Sequence, residues 1–245
     1  MVTIPENKKV EPSDKPKKMK VCVYGAPYSG KTTFADSFPN ALILSTDGNT
    51  QNCTSPSMLI RDQVTTSGRL TTVQPAWKYF KEIVDELAKG GTTYETLVID
   101  LVDDLYELCR ASKCADLGIK HESDDSMKAW DIVRSEFMVT MRKFANLDYH
   151  VVMNCHEDVK IDIMSRSGDN IKAINPSIQA KIANKLNGLV DMTIRAVEDN
   201  GEYKLKIKEN DVMFGGCRIP GVPTEIPNNF NDFVNLYKKN RSEKK

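Results

Sequence analysis

The sequence predicts an α/β protein with a doubly wound, largely parallel sheet and helices on both faces. Two observations lead there. Short apolar runs of strand length alternate with longer segments whose apolar residues recur at helical spacing, the pattern of a parallel sheet with crossover helices. In addition, Gly25-Ala26-Pro27-Tyr28-Ser29-Gly30-Lys31-Thr32 fits the phosphate-binding pattern G-x-x-x-x-G-K-[ST] at every fixed position, directly between the first such strand and the first such helix.

Taken in order, residues 1–18 mix lysines and prolines with few apolar groups and read as a disordered basic leader. Lys20–Tyr24 is the first buried strand, and Thr33–Phe38 begins the first helix. Asn40–Thr46 is a second strand, closed by Asp47-Gly48. Residues 49–75 are rich in Ser, Thr and Gln, which fits short strands or loops. Ala76, Trp77, Phe80, Ile83, Val84 and Leu87 have helical spacing up to Gly90-Gly91. A strand at Thr96–Ile99 is closed by Asp100, helices follow at 102–116 and 127–145, and the strand Tyr149–Cys155 ends at His156. Residues 157–176 read as a long polar loop interrupted by Ile161–Met164. A helix at 177–187 leads into a hairpin through Asp199-Asn200-Gly201. One core spans 19–237, and 238–245 is a basic tail.

A chain of 245 residues with 40% apolar composition is long enough for one substantial core. It has no apolar run of the roughly 20 residues that span a bilayer and no apolar signal core, so the expectation is a cytoplasmic protein with no membrane partner. The six cysteines form no C-x-x-C pair, which fits a reducing compartment. A zinc site from Cys109, Cys114 and His121 has no standard ligand spacing, and packing explains these residues better. The net charge of zero divides unevenly: +3 over residues 1–20, +4 over 238–245 and −7 between. Basic ends can hold nucleic acid without sequence preference or serve as solvated tails.

In the glycine-rich run, Gly25 and Gly30 allow backbone conformations that turn N–H groups inward onto phosphates, and the helix that follows adds its positive end. Gly25 to Thr33 therefore form the expected cradle for ATP. Lys31 reaches the β- and γ-phosphates, and the Thr32 hydroxyl is a ligand for Mg²⁺. Asp100 lies 69 residues after Lys31, at the end of an apolar strand with a complete strand and helix between, and reads as the acid that holds Mg²⁺. Asp47 is the first candidate for the base that deprotonates the attacking water, and Asp103 and Asp104 compete with it unless they serve the start of a helix. His156, at a strand end ahead of the polar segment, is placed to sense the γ-phosphate.

The glycine-rich loop, Asp47, Ile99-Asp100 and Asn154-Cys155-His156-Glu157 together resemble the RecA-like nucleotide-binding proteins encoded by phages. The likeness is greatest to the core-only single-strand-annealing ATPases of phage recombination, and it covers about residues 19–220. The resemblance implies a RecA-like P-loop core with Lys31, Thr32 and Asp100 in their usual roles. It puts Asp47 in the place of a catalytic glutamate, where the shorter side chain casts doubt on fast hydrolysis, and His156 in the place of a γ-phosphate-sensing glutamine. The segment after His156 would contact single-stranded DNA through Lys160, Arg166 and Lys172. Arg218 would act on the nucleotide of a neighbouring subunit or be a surface charge. The implied assembly is a homo-oligomeric ring or filament in an infected host cell, working with a single-stranded-DNA-binding protein. Two other readings remain: a P-loop small-molecule or nucleotide kinase, weakened by only three arginines in 110–145, and an ATP-switched assembly protein with little turnover.

Overall fold

The computed structural model describes residues 7, 18–125, 128–164, 170–207 and 213–242, with side chains of 159–164, 170–172 and 238–242 left aside. The leader and Arg166 therefore lie outside the described residues, apart from Asn7 and Lys18. The chain forms β1 (Lys20–Gly25), α1 (Lys31–Asp36), β2 (Ala41–Ser45), β3 (Ser57–Leu59), β4 (Gln63–Ser67), β5 (Leu70–Gln74), α2 (Ala76–Ala88), β6 (Thr96–Asp100), α3 (Val102–Leu117) and α4 (Lys128–Ala145). It continues through β7 (His150–Met164), β8 (Asn170–Pro176), α5 (Ala180–Asn187), β9 (Met192–Asp199), β10 (Glu202–Lys206), β11 (Gly216–Cys217), β12 (Glu225–Pro227) and α6 (Phe230–Ser242).

The main sheet has the order β12-β10-β9-β1-β7-β6-β2-β3. From β9 to β3 every neighbouring pair is parallel, while β10 and β12 extend the β9 edge antiparallel. One strand, β7, stands between the strand that carries the glycine-rich loop and the strand that ends in Asp100. This interposed strand fits the P-loop core that the resemblance implies. The register aligns the carboxyl ends: Ser45 lies opposite Asp100, Asp100 opposite Asn154, and Gly25 opposite His156. Four polar strand ends therefore meet at one edge, the place where open α/β sheets bind ligands.

Alternation along each strand divides the core in two. Cys22, Tyr24, Leu97, Ile99, Val151 and Met153 face α2, α3, α4 and α5 across a layer built around Trp77, Phe80, Tyr106, Phe137 and Phe144. Val21, Val23, Ile43, Val98, Val152 and Ile194 face α1 and α6 across Phe34, Phe38, Phe233 and Tyr237. Helices thus cover both faces, as the alternating sequence pattern predicts.

The segment 157–176 departs from the expected loop. β7 continues eight residues past His156 and pairs antiparallel with β8, with Glu157 opposite Pro176 and Lys160 opposite Ala173, so a two-stranded arm replaces the loop. The physical reason is legible afterwards: Val159-Lys160-Ile161-Asp162-Ile163 alternates polar and apolar residues, Ile171-Lys172-Ala173 does so briefly, and both stretches carry β-branched groups, which favours strands even in a polar stretch. At the other end, α6 runs through to Ser242, past the expected start of the tail at 238.

Candidate nucleotide-binding site

The glycine-rich loop is held by close approach. A Cβ on Gly25 would stand 2.4 Å from the Ala196 carbonyl oxygen and 2.6 Å from Ser29 Oγ, closer than any real contact. Gly30 has a φ of 83°, in the left-handed region, and a Cβ there would meet Asn228 Nδ2 at 2.7 Å and Tyr203 Cδ1 at 2.9 Å. Gly25 is therefore required by the close approach of its neighbours, and Gly30 by its left-handed conformation as well as by the side chains that cover it. Inside the loop, Lys31 Nζ donates to the carbonyl oxygens of Gly25 at 2.9 Å and Ala26 at 2.8 Å. The ammonium is buried, and burial lowers its pKa despite the opposing pull of Asp100 and Asp103. Such a cation gains most from an anion that enters the loop. The Ser29 hydroxyl is also enclosed without a partner, a polar group left for the loop's occupant.

Thr32 Oγ1 donates to Asp100 Oδ2 at 2.8 Å, and Asn154 Nδ2 donates to Asp100 Oδ1 at 3.1 Å. Burial raises the Asp100 pKa, against the lowering effect of these two donors. A hydroxyl and a carboxylate side by side are hard oxygen donors of the kind Mg²⁺ prefers, so the residues fit the ion. Asn154 has no role of its own in the sequence reading, although a polar residue inside Val151-Val152-Met153-Asn154-Cys155 is itself a signal that a buried partner exists.

The acids beside this pair divide by environment. Asp47 is exposed and accepts from Ser45 Oγ, the Asn49 amide N–H and Asn49 Nδ2 at 2.7 to 3.0 Å. Partial burial raises its pKa, but these hydrogen bonds outweigh it and hold the carboxyl below its usual value. Asp104 has a long contact from Thr46 Oγ1 at 3.3 Å, and burial followed by the charge of Asp103 raises its pKa. Asp103 is committed to β7: its Oδ2 lies 2.8 Å from His156 Nδ1, and its Oδ1 accepts from the His156 N–H at 3.3 Å. The first turn of α3 and the start of the β7–β8 arm are thus tied together at His156. Next to it, Glu157 pairs with Arg195 of β9 at 2.8 Å beneath the loop, an ion pair the sequence reading does not foresee.

Lys160 and Lys172 lie on the two strands of the arm, Lys160 opposite Ala173. Asp103, Asp104, Glu107, His156 and Asp158 line an acidic cleft where the arm leaves the sheet. Arg218 lies at the other end of the molecule. Its N–H donates to the Asp191 carbonyl and Nη2 to the Gly188 carbonyl at 2.6 Å, while Asp191 in turn bonds Lys20 at the amino end of β1. The structure does not bring Arg218 to its own loop. All six cysteines are free, and among the described residues Cys109, Cys114 and His121 form no group with metal-ligand spacing.

Fold and site together define a P-loop nucleotide-binding protein. A family model described as an AAA domain matches residues 17–219, and the chain belongs to that family. No curated protein matches it. Among solved structures it is similar to the flagellar accessory protein FlaH from Methanocaldococcus jannaschii, with 9% identity over 85% of this chain and 83% of that one at a TM-score of 0.40. A prototypical ATPase from the type III secretion system of pathogenic bacteria is similar at 13% identity, over 74% of this chain and 51% of that one, with a TM-score of 0.42. No helix among the described residues is long and apolar enough to cross a membrane.

Proposed function

We propose that this protein binds ATP with Mg²⁺ and hydrolyses it slowly, using the nucleotide state to set the position of the β7–β8 arm. The observation that carries the reading is the contact of Thr32 Oγ1 with Asp100 Oδ2 beside the loop that encloses Lys31, because it joins the phosphate cradle and the metal acid in one site. Lys31 would neutralise phosphate charge, and Thr32 and Asp100 would hold Mg²⁺, which when bound screens the negative oxygens. Asp47 is the base in this reading. It is ionised at neutral pH but must release a hydrogen-bond donor before it accepts a proton, which favours slow turnover. His156 carries the state of the site into the arm, since it lies two residues past Asn154, the partner of Asp100 in the sheet, and is pinned by Asp103.

The finer reading is that the arm grips single-stranded DNA in phage recombination within a homo-oligomer, with Arg218 serving a neighbour's nucleotide. What supports it is the resemblance of the strand-end residues and the placement of Lys160 and Lys172 on the arm. The acidic cleft at the arm's root repels phosphates, so strand contact belongs farther out. ATP hydrolysis measured with and without single-stranded DNA tests this. Stimulation that weakens with added salt is the expected result, and an unchanged rate at low salt would favour an ATP-switched assembly role.

A further inference from the structure

On the flank of the loop away from Asp100, two residues cover Gly30. Tyr203 of β10 brings Cδ1 within 2.9 Å of the position a Gly30 Cβ would take, yet half of its surface is exposed. Asn228, just past β12, donates Nδ2 to the Gly30 carbonyl at 3.1 Å and its backbone N–H to the Tyr203 carbonyl at 3.2 Å. Its Oδ1 is enclosed with no donor. The phosphate cradle itself requires neither residue, because Lys31 and Thr32 supply its charge and metal contacts.

The direction of a bound nucleotide explains them. The terminal phosphate belongs beside Asp100 and Asp47, on the β7, β6 and β2 side of β1. The nucleoside must leave on the opposite side, where β9, β10 and β12 lie. There a half-exposed aromatic ring offers a flat apolar wall, and the Asn228 amide offers an acceptor whose donor end is already fixed. A planar heterocycle with an N–H donor matches both. We propose that Tyr203 is the wall against which the base of the bound nucleotide stacks, with Asn228 positioning the ring over Gly30. This rests on the proposed binding of a nucleoside triphosphate at the loop.

Titration with ATP and with inorganic tripolyphosphate separates base from phosphate contacts. In Tyr203→Leu, which keeps apolar cover on Gly30 but lacks a ring face, ATP affinity should fall about tenfold, the effect of losing one stacked base, while tripolyphosphate affinity is unchanged. Tyr203→Phe should bind both as the native chain does. Equal weakening toward both ligands in Tyr203→Leu would overturn the proposal and leave the ring as a prop for the loop, and so would unchanged ATP affinity. Lys31→Ala should lose both ligands. If instead it keeps both, nucleotide binding at the loop fails as a whole, whatever Tyr203 does.

Discussion

At the scale of single residues, the site is governed by how each carboxyl group is surrounded. Asp47 and Asp104 both lie near Asp100, yet hydrogen bonds from Asn49 and Ser45 lower the pKa of one, and burial raises that of the other. Their roles as base separate in a pH profile. With Asp47 as base, the carboxylate is already ionised well below neutral pH, so hydrolysis should be flat from about pH 8 down to about pH 5.5. With Asp104 as base, its raised pKa would make the rate fall at a higher pH on the acid side. Asp47→Asn should slow turnover by roughly 10²-fold or more with little change in ATP affinity, and Asp104→Asn should leave most of the rate. A normal rate in Asp47→Asn together with a lost one in Asp104→Asn would transfer the role. The glycine-rich loop and Asp100 are legible in the sequence because their chemistry is local to a strand end. Asn154, Tyr203 and the Glu157–Arg195 pair are not, since their partners are set by strand order and lie tens to nearly two hundred residues away.

At the scale of elements, α1 and the loop after β2 are joined by a single carboxylate. Asp36 accepts from the Thr54 N–H at 2.9 Å, Thr54 Oγ1 at 3.0 Å and the Ser55 N–H at 2.8 Å. Burial alone would raise its pKa, but these donors prevail and lower it from the ordinary 3.8. A carboxyl with a folded-state pKa below its unfolded value contributes stability above the unfolded pKa and loses it as pH falls through the folded one. Asp36→Ala should therefore cost about 1 kcal/mol near neutral pH, a modest figure because the group is partly solvated. The difference between denaturant melts of native and variant chains should shrink as pH falls below the ordinary 3.8, and a constant difference at acid pH would contradict this. The helices α2, α3 and α4 and the strands β1, β2 and β6 are readable from the sequence through buried periodicity. The β7–β8 arm is not read as such, because its polar residues hide an alternating pattern that lacks the continuous apolar run of the central strands.

At the scale of the whole molecule, the candidate residues fall at two ends of the sheet. The carboxyl end carries the loop, Asp100, Asp47 and His156, and the amino end carries Arg218. A trans role for Arg218 would require a neighbour to present its amino end to this molecule's loop, so Arg218→Ala and Lys31→Ala chains, each slow alone, should recover hydrolysis when mixed. Absence of recovery under conditions where the chains assemble would leave Arg218 as the anchor of β11 on the Gly188 carbonyl. The largely parallel sheet with helices on both faces follows from the alternation in the sequence, but the strand order does not, and the amino-end placement of Arg218 follows only from the β11–β9 pairing. Function turns first on the loop around Lys31 being a nucleotide site completed by Mg²⁺ at Thr32 and Asp100. Calorimetric titration of ATP into the native chain and into Lys31→Ala, each with and without Mg²⁺, tests it most directly. Magnesium-dependent binding in the native chain, lost by at least tenfold in a Lys31→Ala variant of unchanged thermal stability, is the predicted result. Equal ATP affinity in the two chains would contradict it.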